Sequence, residues 1–333
     1  MRGKNEDNGS IPGRTAVQAS HTAADSAWNI VVAAAALAEP LEHRGRTQSF
    51  AVDSQDRMRP LERDTSDLAV TWHPESGWES RLSPDDPRSG LLDLYLPLCG
   101  GTAAHPLTVG HLGQSLDGFI ATHSGDSQFV TGSENLVHLH RLRALFGVVV
   151  VGAGTVAADD PQLTTRYVAG PNPLRVVFDP SRRLTPDYRV FTDTAAETLY
   201  VCGRSRVADG ETHVGHATIA SFDDSRPQRD VTQLVGLLRE RGYDRVFVEG
   251  GGVTVSAFLE ADLLDRVHIA IAPVLIGDGR PAIRLPPHLS LRDCRRPAYR
   301  VFRMGGDVLF DCDLRATVPQ SRSDAETPIT RII

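Results

Sequence analysis

Four consecutive valines, Val148-Val-Val-Val151, run straight into Gly152-Ala-Gly154, and no other stretch limits the possible folds as sharply. Branched side chains on both sides of an extended backbone need apolar cover on both faces, which a central strand of a parallel sheet receives from helices above and below. The glycines predict a tight turn and then a helix. The same rhythm continues on either side. Strands are expected at Leu107 to Ile120 (interrupted at Gln114-Ser-Leu-Asp-Gly118), Arg175 to Phe178, Thr198 to Cys202, Val246 to Val248 and Arg266 to Ala272. Helices are expected at Ser133 to Phe146, with Ser133 as N-cap and Leu136, Leu139, Arg143 and Phe146 near helical spacing, at Asp230 to Arg241 and at Thr254 to Glu260. Tyr299 to Arg303 and Val308 to Asp313, flanking Gly305-Gly-Asp307, predict a hairpin. This alternation specifies an α/β fold, a mostly parallel sheet flanked by helices with an antiparallel C-terminal edge.

The amino-terminal part follows no such rhythm. Residues 1–24 mix Gly, Ser, Asn and charge, the composition of a mobile tail, and residues 316–333 are read as a second tail. Residues 25–105 are expected to form a small α+β domain, and residues 106–315 the main one. In the small domain an Ala-rich helix spans Ala27 to Leu41, stopped by Pro40; short apolar pieces follow at Leu68 to Trp72 and Leu91 to Leu96. Cys99 to Pro106 reads as a linker.

Composition removes several classes of function. With 41% hydrophobic and 23% charged residues, wholesale disorder is excluded. Thirty-five basic against 42 acidic side chains, without a basic stripe, make a nucleic-acid backbone a poor partner. The longest apolar run, Ile30 to Ala38, falls far short of the ~20 residues that span a bilayer, so no membrane helix is expected. That run ends in Ala36-Leu37-Ala38, which imitates a signal-peptidase site, but Arg2, Lys4 and Arg14 before it are balanced by Glu6, Asp7 and Asp25. A secretory signal needs a positive leader. Cys99, Cys202, Cys294 and Cys312 have neither paired spacing nor a histidine at zinc-finger distance, which predicts reduced thiols in the cytoplasm and no metal.

Chemistry in an open α/β sheet gathers where strands end in glycine and helices begin. Two such places stand out, Val151-Gly-Ala-Gly-Thr155 and Glu249-Gly-Gly-Gly-Val-Thr254. Either could cradle a phosphate on backbone N–H groups or could simply turn the chain. Neither has the Walker or the Gly-x-Gly-x-x-Gly spacing. Asp117 is read as a cap for the Ser115 to Gly118 turn rather than a proton donor. Arg143 either meets a phosphate or pairs with a carboxylate such as Glu134 or Asp159. His111, His138 and His140 lack ligand spacing and are read as packed or solvated.

Taken in order, Ser115-Leu-Asp-Gly118, Gly125-Asp-Ser-Gln128, Leu142-Arg-Ala144, Gly154-Thr155, Asp159-Asp-Pro-Gln-Leu-Thr-Thr-Arg166 and Val248-Glu-Gly-Gly251 resemble the pyrimidine reductases of riboflavin biosynthesis, over residues 107 to 313. The resemblance implies the fold of dihydrofolate reductase and an NADPH-dependent reduction, in which the ribosylamino group of a 5-phosphorylated aminopyrimidine becomes ribitylamino. It also implies that Ser127, Arg143, Leu163 and Arg166 line the substrate pocket, the arginines and Ser127 holding the 5-phosphate, with Glu249 near the pyrimidine or ribityl end. Gln114, Phe129, Thr155, Asp159, Gly251, Gly252, Val253 and Thr254 would line the cofactor channel. Arg204 would either meet the 2′-phosphate of NADPH or stand solvated in a turn.

The chain departs from the family in places. Phe129 stands where Trp is frequent, and Pro180 where Ser is frequent, which puts a cofactor contact by Ser181 in doubt. No general acid is evident, which leaves water to protonate the nitrogen. Of the deaminase signature that often precedes such reductases, His73-Pro-Glu75 matches the first half, but Pro97-Leu-Cys-Gly100 lacks the second cysteine and the spacing, so zinc has no closed ligand set and the amino-terminal hundred residues are read as something else, with no chemistry assigned. A homodimer is expected from the resemblance and from the apolar strand Val267 to Val274, placed near the sheet edge. Two other readings stay open: a reductase of this fold repurposed in specialised metabolism for another imine or a double bond, and a non-catalytic ligand-binding or assembly protein. Retention of Arg143, Asp159, Arg166 and Glu249 speaks against the second of these.

Overall fold

The computed structural model describes residues 22–63, 65–128, 130–225 and 230–317. Most of the two expected tails lies outside them. The chain opens with α1 (Ala23–Arg44), β1 (Gln48–Val52), β2 (Met58–Leu61), β3 (Leu68–His73), β4 (Gly77–Ser80), α2 (Ser89–Tyr95) and a 3₁₀ turn at Leu96–Gly100. In α1 the residues Ala27, Ile30, Val31, Ala34, Ala38 and Leu41 recur at three- and four-residue spacing and are all buried. Thr22 and Asp25 form a capping box at its start, worth about 1 kcal/mol. Pro40 does not stop this helix. It lies exposed in the last turn, where the backbone bond it forgoes is offset by burial of Ala38 and Leu41. Gly45, left-handed with φ +61°, ends the helix by donating its N–H to the carbonyls of Leu41 and Glu42.

The supposed linker is packed structure as well. Cys99 and Thr102 are buried, and Thr102 and His105 exchange backbone hydrogen bonds. Strands β2-β1-β3-β4 form an antiparallel sheet that the sequence showed only through Leu68 to Trp72.

The remainder runs β5 (Leu107–Ser115), β6 (Phe119–Thr122), α3 (Ser133–Leu145), β7 (Val148–Gly152), α4 (Ala153–Asp159), β8 (Leu174–Phe178), α5 (Arg189–Thr192) and β9 (Thr198–Gly203). It continues through β10 (His213–Val214), β11 (Ala217–Phe222), α6 (Asp230–Glu240), β12 (Arg245–Glu249), α7 (Gly252–Glu260) and β13 (Arg266–Ala272) to β14 (Gly279–Pro281), β15 (Pro297–Met304) and β16 (Asp307–Thr317). Ten strands form one sheet in the order β10-β11-β9-β8-β7-β12-β5-β13-β16-β15. From β11 to β13 every neighbouring pair is parallel, and the β15–β16 hairpin adds the antiparallel edge. Strand β13 is not near an edge, because β5 and β16 pair with it on either side. The run Val267 to Val274 thus offers no free strand edge, and its exposed end is at Val274.

The valine run behaves as its composition demands. Val149 and Val151 join Val109, Val177 and Phe247 on one face, while Val148 and Val150 join Val176, Val246 and Val248 on the other, and all four valines are fully buried. Helices α6 and α7 cover the second face through Val231, Leu234, Val235, Leu238, Val255 and Phe258. The first face is covered by α3 and also by α1 and α2, whose Trp28, Ile30, Val31, Leu92 and Tyr95 belong to the same apolar cluster as the sheet. Trp28 donates its indole N–H to Ala169 O at 2.8 Å, and Arg141 of α3 lies 5.5 Å from the ring centroids of both Trp28 and Tyr95. No helix among the described residues is long and apolar enough to cross a membrane.

Candidate active site

Strands β7 and β12 are parallel neighbours, so the two glycine turns that follow them stand side by side at one end of the sheet. The fit is close. A Cβ on Gly152 would lie 2.2 Å from Thr254 Oγ1, and one on Gly251 would lie 2.8 Å from Thr155 Oγ1. Gly251 also has φ +31° and, as the N-cap of α7, offers no side chain to the first N–H groups of that helix. Val253 on this first turn is 86% exposed. The residues Thr155, Gly251, Gly252, Val253 and Thr254 are thus brought together, and the pair of turns forms a backbone cradle suited to an anionic group.

Beside this cradle Arg143 and Glu249 meet in a buried, two-pronged ion pair. Arg143 Nε donates to Oε2 at 2.8 Å and Nη2 to Oε1 at 2.5 Å, while Nη1 donates to Thr164 O at 3.1 Å. Burial works against the guanidinium charge, but the facing carboxylate outweighs it and raises the Arg143 pKa. The carboxylate partner is therefore Glu249, not Glu134 or Asp159. In this arrangement the Arg143 fork is engaged by Glu249 and Thr164 O, which ties α3 to β12 and to the loop after α4.

That loop carries Leu163 and Arg166. Asp160 and Leu163 adopt left-handed φ of +38° and +55°, and Leu163 is buried, a combination costing about 1–3 kcal/mol for a side chain without glycine's freedom. The strained turn presents Thr164 O to Arg143 and leaves Arg166 exposed at the rim. Arg166 bonds Gln162 Oε1 at 3.1 Å and Thr164 Oγ1 at 2.5 Å, and no carboxylate among the described residues pairs with it. Desolvation and the neighbouring Arg143 charge lower its pKa, as befits a cation short of a counter-ion.

The remaining candidates lie around this centre. Ser127 Oγ reaches Asp159 Oδ1 at 3.4 Å. Desolvation and the Glu249 charge hold the Asp159 carboxyl above its usual range against the pull of Ser127 and Arg280. Gln114 is half-buried at the end of β5, opposite Ile271. Arg204 is exposed in a 3₁₀ turn after β9, next to Ser205, whose hydroxyl and N–H are taken by Asp224. Ser181 is exposed in the turn after β8, while Asp179 there accepts from Tyr200 Oη and from the N–H groups of Arg183 and Leu184. Asp117 receives the Ser115 hydroxyl and also the N–H groups of Ile276 and Gly277, so it ties two strand-end loops together. Phe129 lies outside the described residues.

Helix α3 departs from its predicted form. Its N-cap is Gly132, the Ser133 hydroxyl bonding Glu134 instead, and Leu136 is 41% exposed. Its buried residues include the polar Asn135, His138, His140 and Arg143 beside Leu142, Ala144 and Leu145, and an apolar periodicity cannot reveal the polar ones. His138 Nδ1 meets Tyr95 Oη at 2.5 Å and its Nε2 meets His268 Nδ1 at 3.0 Å, with His268 Nε2 3.2 Å from Asp311. His111 bonds Asn135 at 2.9 Å, and burial presses His111 down to about 3. The histidines are packed, as the sequence suggested, and they form a line from α2 to β16. Reasoning from sequence missed the part His140 and Thr164 play at the rim, although the i, i+3 spacing of His140 and Arg143 places both on one helix face.

Paired glycine turns, a buried Arg–Glu unit and an arginine without a carboxylate partner among the described residues thus stand together at one end of a mostly parallel sheet. Residues 108–301 match the RibD C-terminal domain, and the chain belongs to that family. It is 36% identical over 214 residues to the 2,5-diamino-6-ribosylamino-4(3H)-pyrimidinone 5′-phosphate reductase of Methanothermobacter thermautotrophicus, covering 62% of this chain and 97% of that protein. It is 35% identical over 190 residues to the riboflavin biosynthesis protein RibD of Bacillus amyloliquefaciens, covering 53% of this chain and 50% of that protein. Among solved structures, a diaminohydroxyphosphoribosylaminopyrimidine deaminase/5-amino-6-(5-phosphoribosylamino)uracil reductase from Thermotoga maritima superposes with a TM-score of 0.54 at 29% identity, covering 63% of this chain and 56% of that one. The chain thus spans about half the length of these two bacterial relatives.

Proposed function

We propose that the chain is an NADPH-dependent reductase that converts the ribosylamino group of a 5-phosphorylated aminopyrimidine to ribitylamino. The observation that carries this reading is Arg166, a rim guanidinium without a carboxylate partner among the described residues, beside a buried Arg143–Glu249 pair and a glycine cradle. Arg166 is free to grip a phosphate through its planar fork. Glu249, held by two bonds to Arg143, offers a fixed acceptor to sugar hydroxyls rather than a mobile proton carrier. Ser127 and Asp159 stand at the mouth and complete the substrate side.

The cofactor side fits the residues present. Space that a Cβ on Gly250 or Gly251 would occupy is bounded by Thr155, and the uncapped first turn of α7 suits a dinucleotide phosphate. Thr155, Gly251, Gly252, Val253 and Thr254 would hold the diphosphate, with Gln114 and Asp159 along the channel and Arg204 toward the 2′-phosphate. The bound nicotinamide supplies the hydride. We place the enzyme in the cytoplasm, in keeping with its free cysteines, and expect a homodimer; exposed Leu116, Val274 and Leu275, near one another at the ends of β5 and β13, support an interface there.

The deciding experiment follows NADPH oxidation with a ribosylaminopyrimidine offered with and without its 5-phosphate. Turnover that depends on the phosphate supports the proposal. Equal use of both would favour a reductase of this fold acting on another imine or a double bond, and failure to bind either NADPH or substrate would sink the reductase reading.

A further inference from the structure

The segment from Asp160 to Arg166 has no regular secondary structure and two left-handed residues, yet it must present Arg166 in one place if that side chain is to recognise an anion. Arg189 and Arg175 hold its start at Asp160 and Gln162 O, and Thr165 bonds Pro171 O and Asn172 Oδ1. Nearest Arg166, Arg143 holds Thr164 O and the backbone N–H of Arg166 itself donates to His140 Nδ1 at 2.8 Å. His140 and Arg143 lie three residues apart on α3, so one rigid helix face fixes both sides of the loop.

We propose that His140 is a positioning residue for the reaction, holding Arg166 at the angle needed to receive the substrate phosphate; the proposal rests on the reading of Arg166 given above. His140 is wholly buried and its Nε2 has no hydrogen-bond partner among the described residues. Accepting from Arg166 requires a bare Nδ1, which places the proton on Nε2 and leaves a buried donor unpaired. A leucine would fill the same space without that cost, so what histidine contributes here is the Nδ1 lone pair. Tyr167, whose ring stands edge-on to the imidazole at 4.6 Å, limits its rotation. Burial, Arg143 and Arg166 hold the ring down at about 4, so near neutral pH it is uncharged and able to accept.

Two variants test this, His140→Leu, which removes the acceptor, and His140→Asn, whose Oδ1 can stand in for Nδ1. With the phosphorylated pyrimidine, His140→Leu should raise KM about five- to tenfold and narrow the preference over the dephosphorylated substrate by the same factor, while kcat and NADPH affinity change less than about twofold. His140→Asn should recover most of the loss. A second readout needs no turnover: inorganic phosphate titrated into the labelled protein should shift the Arg166 resonances in wild type and do so more weakly in His140→Leu. If phosphate acts on Arg166 in this way but no phosphorylated pyrimidine is reduced, the proposed function fails and the role of His140 stands. An unchanged KM and phosphate response in His140→Leu would overturn the role, as would equal losses in both variants accompanied by equal losses of Tm.

Discussion

Arg143 and Glu249 are 106 positions apart in the chain and share two hydrogen bonds in the interior. Each neutralises a charge that could not otherwise stay there, so the pair is a strong constraint on how α3 sits against β12. Glu249→Gln keeps the shape and strands the guanidinium charge. It should lower the unfolding free energy by about 3 kcal/mol, measured by denaturant melts at neutral pH. A loss under about 1 kcal/mol would mean that water reaches the site and screens it.

Arg166→Ala should reduce kcat/KM for the phosphorylated substrate by roughly ten- to a hundredfold, the worth of one or two charge-assisted hydrogen bonds. Cofactor affinity should hardly move, and the variant should lose most of its preference for the phosphate. Arg166→Lys should restore only part of the rate, because a point charge lacks the planar fork. Steady-state kinetics on the two substrates check all three.

The two glycine turns make unequal demands. A Cβ on Gly154 meets nothing within 4 Å, whereas one on Gly251 meets Thr155 Oγ1 at 2.8 Å and would sit on a backbone with φ +31°. Gly154→Ala, within α4, should leave cofactor binding intact and raise stability slightly. Gly251→Ala should weaken NADPH binding at least tenfold in a fluorescence titration. Equal behaviour of the two variants would remove the cradle from the cofactor site.

Asp117 supplies a pH signature. The Ser115 hydroxyl and the N–H groups of Gly277 and Ile276 lower its carboxyl from 3.8 to about 2. A depressed carboxyl contributes stability above its unfolded pKa, and that contribution is lost as pH falls from about 4 to about 2. Melts across this range should therefore show a steeper acid decline in wild type than in Asp117→Asn. Parallel curves would mean that the loop contacts are not made in solution.

The sheet was legible from sequence because Val148 to Val151, Val246 to Val248 and Arg266 to Ala272 combine branching with glycine punctuation, and each became a strand at nearly the expected limits. Helix α6 was equally clear, its four buried residues being those with apolar spacing. The rim was less so. Arg143 could be assigned to a phosphate or to a carboxylate, and only the tertiary register of α3 and β12 selects Glu249. Helix α3 hid its inner face because polar Asn135, His138, His140 and Arg143 interrupt the apolar pattern there, and Cys99 to Pro106 passed for a linker because glycine and proline mark packed 3₁₀ turns as readily as open ones. Strand β11 escaped notice because Ala217, Ser221 and Thr218 dilute its hydrophobicity, while its parallel bonds to β9 supply what its side chains do not.

The shared apolar cluster that joins Trp28, Ile30 and Tyr95 to Val149, Val151 and Phe247 determines how the molecule comes apart. The matched segment begins at residue 108, yet the face it presents to α1 and α2 is finished by residues that precede it. Separate melting of the amino-terminal helices would expose this interior to water, so the thermodynamics favour one cooperative transition. Scanning calorimetry should show a single endotherm, and amides of α1 should exchange with solvent through the same global opening as those of β7. A single endotherm would make the amino-terminal segment part of one cooperative unit with the sheet, and two endotherms would make it a separate domain.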